Sequence, residues 1–250
     1  MAAYRGSFRF SGFLFFLLIL ISATPTVAAD RGPTYGESLT LAIAHANSPA
    51  GWQPASLFVI PDPGGTQGLQ YDGASLIVRT ASYAKYLGRN FVGQAGQTVF
   101  GGAQTDAAWV TTGNDATRFL LANGATRATI TGLLERGLGM KHENTHDAII
   151  EYAVNPSSLL RPTRNPDISQ YLPAQYGTNL PFIQPAGMSD TLFNDFKAYY
   201  ENWFAGAYGK YKFPWTQLGY TFFWGNGYTL GEINGMSEFI LLGGTPIAYH

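Results

Sequence analysis

Apolar runs in this chain are short, and turn residues stop them before they can lengthen. Residues 56–60 (SLFVI) read as a strand that halts at Pro61-Asp62-Pro63-Gly64-Gly65, a cluster through which no strand continues. Residues 75–80 (SLIVRT), Ala107–Thr112, Ala148–Val154, 219–224 (GYTFFW) and 238–242 (EFILL) are equally brief. All are rich in the β-branched and aromatic residues that strands favour. Helical spacing occurs in three places. Residues 36–47 align Leu39, Ala42, Ile43 and Ala46, and residues 126–138 repeat Ile130, Leu133, Leu134 and Leu138 before Gly139. In 189–204, Ser189 can cap, Asp190 suits the positive end, and Leu192, Phe193, Phe196, Tyr200 and Trp203 form a stripe. Strands and helices do not alternate regularly. The expected fold is therefore α+β, with a mixed or antiparallel sheet of about six strands and two or three packed helices. The Gly/Gln-rich stretch 93–104 reads as a loop, and 159–185, rich in Pro, Asn and Gln, as a long surface connection.

The first 29 residues have the layout of a secretory signal peptide: Arg5 and Arg9, an apolar run over 12–21, then small residues ending at Ala29. That run falls short of the ~20 residues a bilayer span needs, so no stable membrane span is expected after cleavage. Residues 30–250 then form a single α+β domain, secreted or periplasmic. Apolar residues make up 46%, enough for a sizeable core, while charged residues are only 12%. The formal net charge of −1 falls to about −3 when Arg5 and Arg9 leave with the leader. With no basic patch, nucleic acid is not an expected partner. Cysteine is absent, which excludes disulfides, thiol nucleophiles and thiolate zinc sites.

Two groups of residues carry possible chemistry. His142-Glu143-Asn144-Thr145-His146 fits the His-Glu-x-x-His pattern of zinc peptidases, in which both histidines bind zinc and the glutamate activates water. That chemistry needs a helix through the motif, so that positions i and i+4 share a face. Gly137 and Gly139 just upstream, and the β character of Ala148–Val154, leave a polar helix-to-strand loop as the other reading.

The second group is Arg79 at the end of one strand, Thr111-Thr112 at the end of another, and Glu238 opening the last. This order resembles the arginine, Ser/Thr and glutamate series of ADP-ribosyltransferase toxins, with Met236 where that family usually has a glutamate or glutamine. The resemblance implies NAD as co-substrate, Arg79 anchoring its phosphates, Thr111 and Thr112 shaping the nicotinamide pocket, and Glu238 steadying an oxocarbenium-like ribose. Ordinary strand-end residues, paired or solvated, are the alternative.

Residues 213–221 (FPWTQLGYT) are similar to a Pro-Trp-Thr-x-x-Gly-Tyr-Thr segment near the C-terminus of uncharacterised exported bacterial proteins. Trp215, Tyr220 and Trp224 could stack on sugar rings or belong to the core. The reading from sequence is an exported protein with a lean to an NAD-dependent transferase or glycohydrolase. A metal-dependent hydrolase and a non-catalytic binding or envelope-associated protein are its alternatives.

Overall fold

Alternation of side chains along neighbouring strands separates two apolar layers, and the fold follows from what covers each. The computed structural model describes residues 34–47, 57–62, 65–82, 97–98, 107–170, 180–225 and 234–249. The leader-like segment 1–29 and most of 93–104 lie outside the described residues. The helices are α1 (Tyr35–Asn47), α2 (Gly113–Ala122), α3 (Ile130–Gly137) and α4 (Asp190–Ala207). The strands are β1 (Tyr71–Asp72), β2 (Ser75–Ser82), β3 (Gln97–Thr98), β4 (Ala107–Thr112), β5 (Ala148–Val154), β6 (Tyr220–Phe222), β7 (Asn234–Ser237), β8 (Phe239–Leu242) and β9 (Pro246–Tyr249).

The main sheet runs β3-β9-β5-β2-β4-β8, with β1 added to β2, while β6 and β7 pair separately. Every pairing is antiparallel. This is the expected α+β domain, its sheet antiparallel rather than mixed. Central strand β2 holds β5 from Leu76↔Val154 to Ser82↔Ala148, and meets β4 at Val78↔Thr112 and Arg79↔Thr111. Strand β4 in turn holds β8 from Ala107↔Leu242 to Val110↔Phe239.

Because strand side chains alternate between faces, Leu76, Val78, Ala108, Val110, Ile150, Tyr152, Phe239 and Leu241 share one core. Trp109, Ile240 and Leu242 face the other way, onto Phe196, Tyr199 and Tyr200 of α4. Helix α4 starts as its sequence implies, with Ser189 Oγ accepting from the Leu192 N–H (3.2 Å). Helices α2 and α3 pack on each other through Phe119, Leu120, Leu133 and Leu134. Helix α2 lies where the sequence pattern marks no element.

Two expectations are corrected. Residues 57–60 are not a strand: no ladder pairs them, side chains satisfy the backbone of Phe58 and Val59 instead, and the Ile60 N–H donates to the Ile168 carbonyl (2.7 Å). Phe58 N–H donates to Ser237 Oγ (2.9 Å), and Val59 N–H to Gln67 Oε1 (2.7 Å). The Phe58 carbonyl accepts from Arg161 Nη2 (2.6 Å). The stretch from Leu159 is not a surface connection at its start either. Leu159, Leu160, Arg161, Thr163 and Asn165 are buried, and Leu160 exchanges backbone hydrogen bonds with Ile240 (3.0 and 2.8 Å). This irregular chain covers the first core, to which no described helix contributes an apolar side chain, although Arg118 of α2 lies 5.5 Å from the Phe58 ring centroid. No described helix is long and apolar enough to cross a membrane.

Candidate functional site

Between the α4 face of the sheet and the chain that follows α4 lies a cavity of about 210 Å³. Strand β2 contributes Thr80 and Ala81, and β4 contributes Trp109 and Thr111. Helix α4 and the segment after it supply Trp203, Phe213 and Trp215, and β6 supplies Phe222. Glu238 completes the wall from the joint between β7 and β8, where its N–H donates to the Gly219 carbonyl (2.9 Å). Trp109, Trp203, Phe213 and Thr80 are half-buried, so this side of the cavity approaches solvent.

The remaining wall is the exit of α3. Gly139 N–H donates to Arg136 O (3.2 Å) and Met140 N–H to Glu135 O (2.8 Å), the paired bonds of a Schellman stop. Gly139 adopts φ +68°, and a Cβ there would sit 3.4 Å from the Phe222 carbonyl, so glycine serves both the turn and the close approach. The Trp224 indole N–H then holds the Met140 carbonyl (2.8 Å).

Several rings are fixed by partners of their own. Trp109 Nε1 donates to Tyr199 Oη (2.8 Å), and its ring meets Trp215 edge-on at 5.7 Å. Trp203 stacks on Tyr211 (5.2 Å) and Phe213 (5.6 Å). Behind Trp215, its carbonyl accepts from Tyr208 Oη, which accepts from Gln217 Nε2, both at 2.6 Å.

Four buried polar atoms on this wall have no hydrogen-bond partner among the described residues: Thr111 Oγ1, Trp203 Nε1, Trp215 Nε1 and Glu238 Oε2. Folded proteins rarely leave such atoms unpaired, because each costs about 1–3 kcal/mol. Glu238, 9% exposed, is the one titratable residue lining the cavity among the described residues. Burial raises its pKa well above the carboxylate range, and the neighbouring Trp215 indole only partly opposes that rise.

Of the residues singled out for transferase chemistry, Thr111 and Glu238 therefore share one cavity. Thr112 is buried at the start of α2 and does not line it. Arg79 does not line it either. Its guanidinium is spent on Glu151 across the β2–β5 pair and on the Gly113 carbonyl, with Gln70 Oε1 at 3.3 Å. Trp109 and Trp203 line the cavity too, although the sequence marks Trp203 only as part of a helical stripe and Trp109 only as a strand residue. Trp215, Tyr220 and Trp224 are all buried, so none offers an exposed face for a sugar.

The His-Glu-x-x-His segment lies in a loop between α3 and β5, without the helix a zinc peptidase needs. Its backbone wraps around Glu135 of α3. That carboxylate, with no exposed surface, accepts from the N–H groups of Glu143 (3.0 Å), Asn144 (2.8 Å), Thr145 (2.8 Å) and His146 (3.0 Å). Nδ1 of His142 and Nδ1 of His146 also face it, at 3.2 and 3.1 Å. Glu143 turns outward to Lys141 (2.8 Å) rather than towards the histidines. Among the described residues no three His, Asp or Glu side chains are grouped to hold a metal ion. Gly132 makes the knot possible, since a Cβ there would come within 2.5 Å of His142 Cε1. The knot fixes the chain that leaves Met140, and so the α3 wall of the cavity. Comparison with protein-family models, with curated proteins and with solved structures finds no match for this chain.

Proposed function

We propose that this is an exported small-molecule-binding protein, and that its ligand occupies the aromatic cavity beside Glu238. The observation carrying this reading is the set of four unpartnered buried polar atoms converging on one apolar hollow. A ligand with an apolar body and a few polar groups supplies the missing hydrogen bonds and fills the volume. Cavities of about 150 Å³ hold benzene, so a hollow of about 210 Å³ suits one ring or a compact branched group. The leader-like segment supports action outside the cytosol, which a mature N-terminus near Asp30 in the exported fraction would check.

Binding is expected to raise the melting temperature, since a ligand at a hundred times its Kd adds about 2.7 kcal/mol of stability. Screening small ring compounds by thermal shift and by tryptophan fluorescence tests this. Ala81→Phe, which adds bulk at the β2 wall of the hollow, should weaken any hit by about tenfold or more and lower stability by about 1–3 kcal/mol, since Ala81 also packs against the α2 and α3 core. Hits that bind Ala81→Phe as tightly as the parent chain would place the ligand elsewhere.

One observation keeps a second reading in view. Thr111 and Glu238 border the same cavity, as an NAD glycohydrolase or ADP-ribosyltransferase site requires, although Arg79 stands apart from it. Release of nicotinamide from NAD, abolished by Glu238→Gln but insensitive to Arg79→Lys, is the outcome this version expects. No turnover at high protein concentration removes it.

A further inference from the structure

We infer that the ligand is a compact organic ammonium ion carrying an oxygen acceptor, its cationic head beside Glu238 and its oxygen towards the Trp203 indole and the Thr111 hydroxyl. The inference rests on the binding role proposed for this cavity and narrows it to one chemical class.

Charge selects the class. Among the described residues Glu238 is the sole ionisable group in the wall, and no lysine or arginine lines the hollow. An anionic ligand would find no cationic side chain among the described lining residues, beside a carboxyl whose only possible charge is negative. A wholly apolar ligand would leave Glu238 Oε2, the Trp203 indole N–H and the Thr111 hydroxyl without a partner, the Trp215 indole being the carboxyl's own neighbour. A cation supplies the charge that Glu238 lacks, which is the condition under which a buried carboxylate can ionise at modest cost.

The rest of the wall agrees. Trp109, Trp203, Trp215, Phe213 and Phe222 surround the carboxyl with aromatic rings. Aromatic faces attract cations, most strongly when both are out of water, and quaternary ammonium groups suit such a setting because they need no hydrogen bonds. The two indoles and Thr111 offer donors, which call for an acceptor elsewhere on the same small ligand. Tyr208, behind Trp215, is a titratable side chain that Glu238 influences. Burial keeps it protonated, so it brings no competing charge.

The test uses choline and its neutral carbon isostere, in which a tert-butyl group replaces the trimethylammonium head. Both are titrated into the full mature chain by calorimetry and tryptophan fluorescence at about pH 8, the alkaline side that favours ionisation of a buried carboxyl. Choline is expected to bind about tenfold or more tighter than the isostere. In Glu238→Gln that ratio should fall to near one, with choline weakened and the isostere little changed. Should Glu238→Gln fail to fold, the ratio in the parent chain still decides the matter. An isostere that binds as tightly as choline overturns the cation and leaves the cavity as a site for neutral ligands. If neither compound binds while other small ring compounds do, the ammonium class is likewise rejected and the binding role stands. Tryptophan emission and melting temperature unmoved by every compound overturn both.

Discussion

Glu135→Ala is expected to destabilise the fold by about 3–5 kcal/mol, the range seen when one partner of a buried, charge-bearing contact is removed. Glu135 gathers four consecutive backbone N–H groups and two imidazoles around one carboxylate. Its loss leaves those donors to water, which reaches the exposed residues of the loop but not the face against α3. Each donor left dry costs about 1–3 kcal/mol, so two or three of them account for the total. Glu135→Gln keeps the shape but offers one acceptor oxygen in place of two, and should lose about half as much. Urea unfolding reads both changes as a lower midpoint at unchanged slope. A loss under about 1 kcal/mol for the alanine variant would mean that the loop is held by other contacts.

The same carboxylate fixes the acid limb of stability. Burial alone would raise the Glu135 pKa, but the His146 side chain and the amides of His146, Thr145 and Asn144 outweigh it and hold the pKa at about 2. A carboxyl depressed from 4.5 stabilises the fold fully above that value, and the stabilisation drains away as pH falls towards 2. His45 acts earlier with the same sign. It is buried beside Tyr220 Oη (2.9 Å), and burial lowers its pKa from 6.5 to about 4, so the fold prefers it neutral. Its contribution is complete above 6.5 and is lost as pH falls through 4. These two contributions should therefore be lost in two stages on acidification, offset in the upper range by Glu238, whose raised pKa favours the fold as pH falls. Glu135→Gln should remove the lower stage only.

Elements with a strong period were legible: α3, α4, β2, β4 and β5 all lie where spacing placed them, within the usual blur at their ends. Helix α2 was not, because Gly113-Asn114-Asp115 opens it with residues typical of turns, although Ala116, Phe119 and Leu120 carry its buried stripe. Residues 57–60 look like a strand because they are apolar. What they lack, ladder partners, is replaced by Ser237, Gln67 and Arg161, and a local pattern cannot reveal a partner a hundred residues away. The histidine loop spells a metal motif for a similar reason. Its meaning depends on Glu135, whose negative charge is invisible to a reading confined to five letters. For the cavity, Glu238 and Thr111 could be picked as polar residues at strand ends, whereas Trp203 sat in a helical stripe that reads equally well as core. A buried carboxyl with one oxygen unpaired marks a departure from the rules that govern the rest of the fold, which is where binding sites tend to lie.

Arg161→Ala should be as damaging as Glu135→Ala, at about 3–5 kcal/mol, and for a different reason. Arg161 is wholly buried in a segment without regular structure, where the guanidinium replaces a missing ladder. Nη2 donates to the Phe58 carbonyl (2.6 Å), and Nε to the Asp167 carbonyl (3.4 Å). The guanidinium lies 5.0 Å from the Phe239 ring centroid, on the strand that carries the first core. Its stem fills the space at Gly219, where a Cβ would come within 2.7 Å of Arg161 Cδ and where φ is +80°. One side chain thus ties residues 57–60, the 159–168 chain, β8 and the turn before β6. Arg161→Met keeps most of the stem, so it separates packing from hydrogen bonding: it should recover the packing share but leave the Phe58 and Asp167 carbonyls unpaired. Arg161→Lys should rescue little, because one ammonium cannot span both carbonyls and lie flat on Phe239. Chemical unfolding of the three variants orders them, with alanine lowest and methionine above it. A lysine variant as stable as the parent would show that charge alone, rather than the planar fork, holds this part of the fold.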